Sequence, residues 1–264
     1  MLEVLLSIMN VNNEKEYKEI LKSNNINGNV VAVNQTQKLD APNIWEGKQR
    51  IYSYNEKGAS RSRNRLLEHS KSDICIFADD DMTYIDNYEK IIENEYKKHE
   101  DAEMIIFNIT NKNKNREKIK KHKDKRISFF DIMRARTPEI TLKNDIIKKY
   151  NLKFNENFGP NAKFLKGEET VFLAECYKKN IKIYLSSENI GYVYSQQSSW
   201  FKGFNEKFLY DQGAIFYRIS HKRYKLLIYQ YLIRKYFLYR KNTNIIKAYK
   251  SMISGANECK KLGE

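Results

Sequence analysis

Proline and glycine are scarce in this chain, at three and ten of 264 residues. That excludes a linker-rich, collagen-like or low-complexity polypeptide. Cysteine is equally sparse: Cys75, Cys176 and Cys259 lie far apart and form no C-x-x-C pair, so neither a disulfide framework nor a zinc ribbon is indicated. Cys75 and Cys176 sit in apolar patterns and read as buried thiols of a reducing compartment. No apolar run reaches the roughly 18 residues of a transmembrane helix. The start, MLEVLLSIMN, carries an acid at position 3 and lacks the basic region and small-residue cleavage site of a secretory signal. The expectation is a cytoplasmic protein, free or held peripherally on the inner face of the membrane. His69, His99, His122 and His221 share no metal-ligand spacing and default to the surface.

What is present is a hydrophobic fraction of 41%, enough for a core, and a net charge of +15. The positive field favours nucleotides, polyanions or an anionic membrane as partners. Strand-like and helix-like segments alternate through the first hundred residues. LEVLLSIM (2–9), NVVAV (29–33), RIYSY (50–54), DICIFA (73–78) and AEMIIFNI (102–109) read as strands. Residues 13–24, 60–70, with a Ser at its cap, and 85–99 read as helices. Such alternation implies an open, mostly parallel α/β sheet with helices on both faces. Residues 139–150 and 168–179 read as further helices and IKIYLS (181–186) as a late strand.

Two stretches stand apart. NKNKNREKIKKHKDKR (111–126) reads as a solvated loop, with a lid or a polyanion-facing loop as the other possibility. From about residue 204 the chain is helical, and YRISHKRYKLLIYQYLIRKYFLYRK (217–241) runs without Gly or Pro. A basic, aromatic helix of this kind can lie in a bilayer interface, or pack on the α/β domain with its cations snorkelling outwards.

The apolar strand IFADDD (76–81) ends in three adjacent carboxylates, Asp79, Asp80 and Asp81. Like charges so close raise one another's pKa. Alternation along a strand would send Asp79 and Asp81 one way and Asp80 the other. Two carboxylates at i and i+2 can share a hard divalent cation, Mg²⁺ or Mn²⁺. Acids capping the next helix are the simpler explanation. Just upstream, GASRSRNRLLEHS (58–70) gathers Arg61, Arg63, Asn64 and Arg65 at a helix start, an anion-friendly place. Together these suit a nucleoside diphosphate with a metal.

The order of an N-terminal strand, GASRSRN, IFADDD and GEETVFL (167–173) resembles family 2 of the inverting glycosyltransferases, over roughly residues 2–200. It is similar in particular to bacterial members that build capsular or other surface polysaccharides. The resemblance implies an α/β GT-A fold over residues 1–200, with residues 201–264 as a basic, aromatic, helical C-terminal region. It implies a metal held by Asp79 and Asp81, and a nucleotide-sugar, a UDP-hexose by preference, bound by Asn10, Asn34, Arg61, Arg63, Asn64, Asp79 and Asp80. Asn34 stands where the family often has Asp. Glu169 aligns with the family's general base and Glu168 with a group that positions the acceptor. Many relatives place a metal-binding His late in the domain; NIGYVYSQQSSW (189–200) has none, leaving Ser195, Gln196 or water in that role. Trp200 is a candidate to stack on an acceptor sugar, or a core or lid aromatic. The acceptor implied is a glycan, lipid-linked at the inner membrane face.

The alternative is a basic nucleic-acid-binding protein or a metal-dependent nucleotidyltransferase. The sequence offers no RNP aromatic pair, zinc-finger spacing or helix-turn-helix, and no nucleic-acid partner is expected.

Overall fold

The long apolar runs of the first hundred residues become strands buried on both faces. The computed structural model describes residues 1–38, 44–112, 122–194 and 203–264. The chain divides into two units, residues 1–154 with 176–196, and residues 155–175 with 197–264.

Among the described residues the first unit holds one ten-stranded sheet. Its strands are β1 (Leu2–Met9), β2 (Asn29–Gln35), β3 (Ile44–Glu46), β4 (Gln49–Tyr54) and β5 (Ile74–Asp79). They continue with β6 (Met82–Tyr84), β7 (Met104–Asn111), β8 (Lys125–Arg126), β9 (Ile140–Lys143) and β10 (Ile183–Val193). The spatial order is β3-β4-β2-β1-β5-β9-β7-β10-β6, with β8 against β10. The β4-β2-β1-β5 block is parallel throughout, as is the β7–β10 pair. Antiparallel pairing enters with β3, β6, β8 and β9.

The helices of this unit are α1 (Glu14–Ser23), α2 (Ala59–His69), α3 (Tyr88–Lys98) and α4 (Asp145–Lys149). Asn13 caps α1 by accepting the Glu16 amide at 3.0 Å, and acids fill its first turn, where they oppose the helix dipole. Tyr17 and Leu21 of α1, with Tyr88, Ile92 and Tyr96 of α3, are spaced four apart and turn one stripe inward. They pack with Val4, Leu6, Ile8, Val30, Ala32, Ile76 and Phe107 of the sheet. Strand alternation puts Leu5, Val31, Val33 and Phe77, all buried, on the other face. Leu66 and Leu67 of α2 are buried too. Each such side chain contributes about 1.5–3 kcal/mol of hydrophobic stabilisation.

The sequence reading is corrected at several places. Residues 139–150 are not one helix: β9 fills the slot between β5 and β7, and α4 follows it. Ile140, Thr141 and Leu142 are buried there, and the Thr141 hydroxyl donates to the Ile105 carbonyl at 2.8 Å; the slot between two strands supplies the ladder partners that hold this segment extended. β6 intervenes between the Asp79–Asp81 run and α3, and β10 extends to Val193. The histidines are not all superficial. His69 stacks on Tyr52 with centroids 3.7 Å apart, and His99 on Tyr184 at 4.6 Å. All three cysteines are buried free thiols.

The second unit contains the start of α5 (Glu168–Lys178), then α6 (Glu206–Ile219), α7 (Tyr224–Arg234), α8 (Tyr236–Tyr239) and α9 (Ile245–Lys261). The 217–241 stretch is therefore broken rather than continuous. No Gly or Pro breaks it: Ser220 leaves helical geometry after α6 (φ −154°). After α8 the side chain of Asn244 caps a new helix by accepting the Lys247 amide at 2.9 Å. α6 and α9 pack backbone to backbone. A Cβ on Gly213 would lie 1.9 Å from the Met252 carbonyl oxygen, and one on Gly255 1.9 Å from that of Tyr210. Arg218 pairs with Glu175 at 2.8 Å and with Glu264 at 3.0 Å.

Candidate functional site

From β1 the chain steps outwards through β2 to β4, then returns to place β5 on the other side of β1. Strand order reverses there, and the carboxyl ends of strands at such a point form a ligand crevice. The residues singled out in the first unit converge on this edge. Asn10 follows β1 in a left-handed conformation (φ 56°), which Asn tolerates, and its amide donates to the Gln35 carbonyl at 3.0 Å. Asn34, near the end of β2, is fully buried. Its Oδ1 accepts the Val11 amide at 3.0 Å, while Nδ2 donates to the Val11 carbonyl at 2.8 Å and to Ser53 Oγ at 3.2 Å. That amide clamps the turn after β1.

α2 starts at the same edge, capped by Gly58 with no side-chain cap bond. Ser60, expected at the cap, lies inside the helix and is buried. Ser62 Oγ donates to Ser7 Oγ of β1 at 3.0 Å. Arg61 is exposed and Arg63 buried. The Arg63 guanidinium reaches Asp79 Oδ1 at 3.5 Å and lies 5.8 Å from the Phe154 ring centroid. Asn64 spends its side chain on a backbone: Nδ2 donates to the Phe154 carbonyl at 3.0 Å and Oδ1 accepts the Phe154 amide at 2.7 Å. Arg65 turns to Glu56, Glu68 and the Tyr54 ring.

Asp79 is the last residue of β5, and Asp80 and Asp81 form the turn into β6. The Asp79 carbonyl accepts from Asn24 Nδ2 at 3.0 Å and the Asp81 carbonyl from the Tyr194 amide at 3.1 Å, so the turn is pinned from both sides. Asp80 and Asp81 reach solvent, yet protein atoms crowd around them. That desolvation, followed by the neighbouring Asp79 charge, pushes both carboxyls up; Asp80 adds to the effect on Asp81, and Arg136 opposes it. Among the described residues Arg63 is the one cation paired with this triplet, through Asp79. The surplus negative charge fits a hard divalent cation. Among the described residues no cluster of three or more His, Cys, Asp or Glu could hold a metal. A cation here would take two carboxylates from the chain and the rest of its shell from donor phosphates and water, the habit of Mg²⁺-type sites.

Glu168 and Glu169 belong to the second unit, in the first turn of α5. Gly167 before them has φ 90°, and a Cβ there would sit 2.3 Å from Ile215 Cδ1, so glycine alone fits. Glu168 is buried and Glu169 half-buried. Two residues escaped the sequence reading. Lys166 is buried one residue before that glycine; its Nζ donates to Gln212 Oε1 at 2.7 Å and lies 3.2 Å from the Phe208 ring centroid. Burial pushes its ammonium down to about 7, against the opposing pull of Asp211 and Glu169. Asp211 is buried, accepts from the Lys207 ammonium at 2.6 Å and from the Leu165 amide at 3.3 Å, and has its carboxyl raised by desolvation. The one available signal was a Lys placed directly before GEE. Trp200, Ser195, Gln196 and most of the 111–126 loop lie outside the described residues.

Residues 29–158 match the family described as "Glycosyl transferase family 2". No curated protein gives a significant sequence match. Among solved structures, S. aureus TarS 1–349 in complex with UDP-GlcNAc superposes with a TM-score of 0.62 at 15% identity, over 92% of this chain and 74% of that one. S. aureus TarS 1–349 alone gives 0.58 at 13% identity, over 100% and 92%. Its complex with UDP gives 0.57 at 14%, over 91% and 73%. At these identities the structures speak for the fold, which they share with the mixed α/β sheet and C-terminal helices described above. Residues 29–158 thus carry a glycosyl transferase family 2 domain on a GT-A fold, and the chain is a glycosyltransferase.

Proposed function

We propose that the chain transfers a hexose, with inversion at the anomeric carbon, from a UDP-sugar to a growing glycan on a lipid carrier, in the synthesis of a bacterial capsular or other surface polysaccharide. Residues 1–200 are the transferase region and 201–264 its helical extension, working peripherally at the inner membrane face. The observation that carries the donor half is the Asp79–Asp81 turn at the strand-order reversal, beside Arg63 and the start of α2. The TarS structures hold UDP-GlcNAc and UDP on the same fold, which supports a nucleotide-sugar donor.

Asp79 and Asp81 would hold Mn²⁺ or Mg²⁺, which supplies charge neutralisation to the departing diphosphate. Arg61 and Arg63 bind the diphosphate, and the positive end of the α2 dipole adds to that attraction. Asp80 contributes to nucleotide-sugar binding from the same turn. Asn10 faces the uridine. Asn34 acts through Val11, whose backbone it holds, and Asn64 through Phe154. In the acceptor half, Glu169 takes the proton of the attacking hydroxyl as general base, the attack displacing UDP from an oxocarbenium-like centre. Glu168 orients the acceptor, and Trp200 stacks on its sugar.

A thermal-shift series of nucleotide-sugars, with and without Mn²⁺, tests this reading. A UDP-sugar should raise the melting temperature, and more so with Mn²⁺. Stabilisation by nucleoside triphosphates alone would replace the proposal with nucleotidyl transfer.

A further inference from the structure

Between Asp211 and Glu258 the sequence has no acidic residue and ten Lys or Arg. In the same stretch, large apolar side chains stand in solvent: Leu226 is 66% exposed, Ile233 75%, Phe237 70% and Ile246 64%, with Tyr229 and Tyr236 beside them. α7 carries Leu226, Tyr229 and Ile233 outwards while Leu227, Ile228, Tyr231 and Leu232 are buried. It is therefore apolar nearly all round, a composition that fits a buried helix or a lipid-facing one. Its eleven residues span about 16 Å, about half of a bilayer core, and no helix among the described residues is long and apolar enough to cross a membrane. A helix of this kind can lie in the headgroup region, apolar side chains inwards and cations at the phosphates. The cations are where that placement needs them. Lys222, Arg223 and Lys225 flank the start of α7, and Arg234 its end. Arg240 sits with its Cζ 4.8 Å from the Phe237 ring centroid.

The geometry points to an interfacial docking face on α7, α8 and the start of α9 that takes an anionic phospholipid surface. Charge complementarity selects that occupant. A second copy meeting the face symmetrically would bring like charges together. A nucleic acid would pair with the cations and leave Ile233, Leu226 and Ile246 in water. The inference rests on the proposal that the acceptor is carried on a lipid, since docking would bring the enzyme to it.

The test uses the full chain in co-sedimentation with phosphatidylcholine vesicles, with and without phosphatidylglycerol. Binding should require the anionic lipid and weaken at least tenfold when salt rises from about 0.1 M to about 1 M, which shortens the screening length from about 10 Å to about 3 Å. The surface variants Ile233→Ser with Phe237→Ser, and Arg240→Gln with Lys241→Gln, should each lose binding at least tenfold, with an unchanged melting temperature and unchanged UDP release to a soluble acceptor. No vesicle binding would overturn the proposal. So would full binding by the Ile233→Ser, Phe237→Ser variant, equal competition by single-stranded DNA, or concentration-dependent dimerisation that this variant abolishes. Vesicle binding is read without substrate, so loss of the transferase reading and loss of the docking face give separate results.

Discussion

Arg63 and Asp79 face each other at 3.5 Å where β5 ends, the guanidinium side chain 8% exposed and the carboxylate 34%. The pair joins the basic helix start to the acidic strand end, two segments that the sequence keeps 16 residues apart. It balances one of three adjacent negative charges. Asp81→Ala should therefore abolish metal-stimulated turnover while leaving the fold intact, because the residue is an exposed turn residue. Donor turnover assayed across a Mn²⁺ titration checks this, and unchanged metal stimulation would remove Asp81 from the site.

Glu169→Gln keeps size and hydrogen bonding but cannot accept a proton. Transfer should fall by roughly 10²–10⁴-fold, the usual scale of general-base catalysis, while the thermal shift produced by the donor persists. A variant with wild-type transfer would pass the base role to another group.

Asn64→Ala removes both hydrogen bonds to the Phe154 backbone. Losing this pair of part-buried bonds should cost about 1–3 kcal/mol, read from urea unfolding. Donor turnover should fall with it, since Phe154 also packs edge-on against Phe77 of β5 at 5.4 Å.

Gly213→Ala and Gly255→Ala each drive a methyl group into a facing carbonyl of the α6–α9 pair. The obstructing atoms are backbone and cannot rotate away. Each should destabilise by about 1–3 kcal/mol, the range for overpacking. A melting temperature equal to the parent's would show that the two helices separate at little cost.

Lys166 links stability to pH. Burial lowers its folded-state pKa to about 7, against about 10.4 for a free lysine. Between those values the unfolded chain holds the proton and the folded chain releases it, so stability rises with pH, by at most about 1.4 kcal/mol per unit. Below about pH 7 both states are protonated and this contribution is flat and least favourable. Lys166→Met should raise stability at and below neutral pH and remove the rise towards pH 10. Urea midpoints measured from about pH 6 to pH 10 decide it.

The local pattern by itself determined the parallel half of the sheet: LEVLLSIM, NVVAV and DICIFA are apolar runs that only a doubly covered sheet can bury. It also placed Asp79–Asp81 at a strand end, because the run stops where the charges begin. Tertiary structure decided the rest. Whether ITLK becomes helix or strand depends on the gap between β5 and β7, which no local pattern encodes. The break at Ser220 and the cap at Asn244 interrupt a stretch free of helix breakers, because the α6–α9 packing through Gly213 and Gly255 requires the chain to turn back. Asn34 and Asn64 read as ligand contacts, and folding also sets their amides against the backbone of Val11 and Phe154. A side chain's choice between ligand and backbone depends on which unpaired backbone groups folding brings beside it, and those come from residues 23 and 90 positions away.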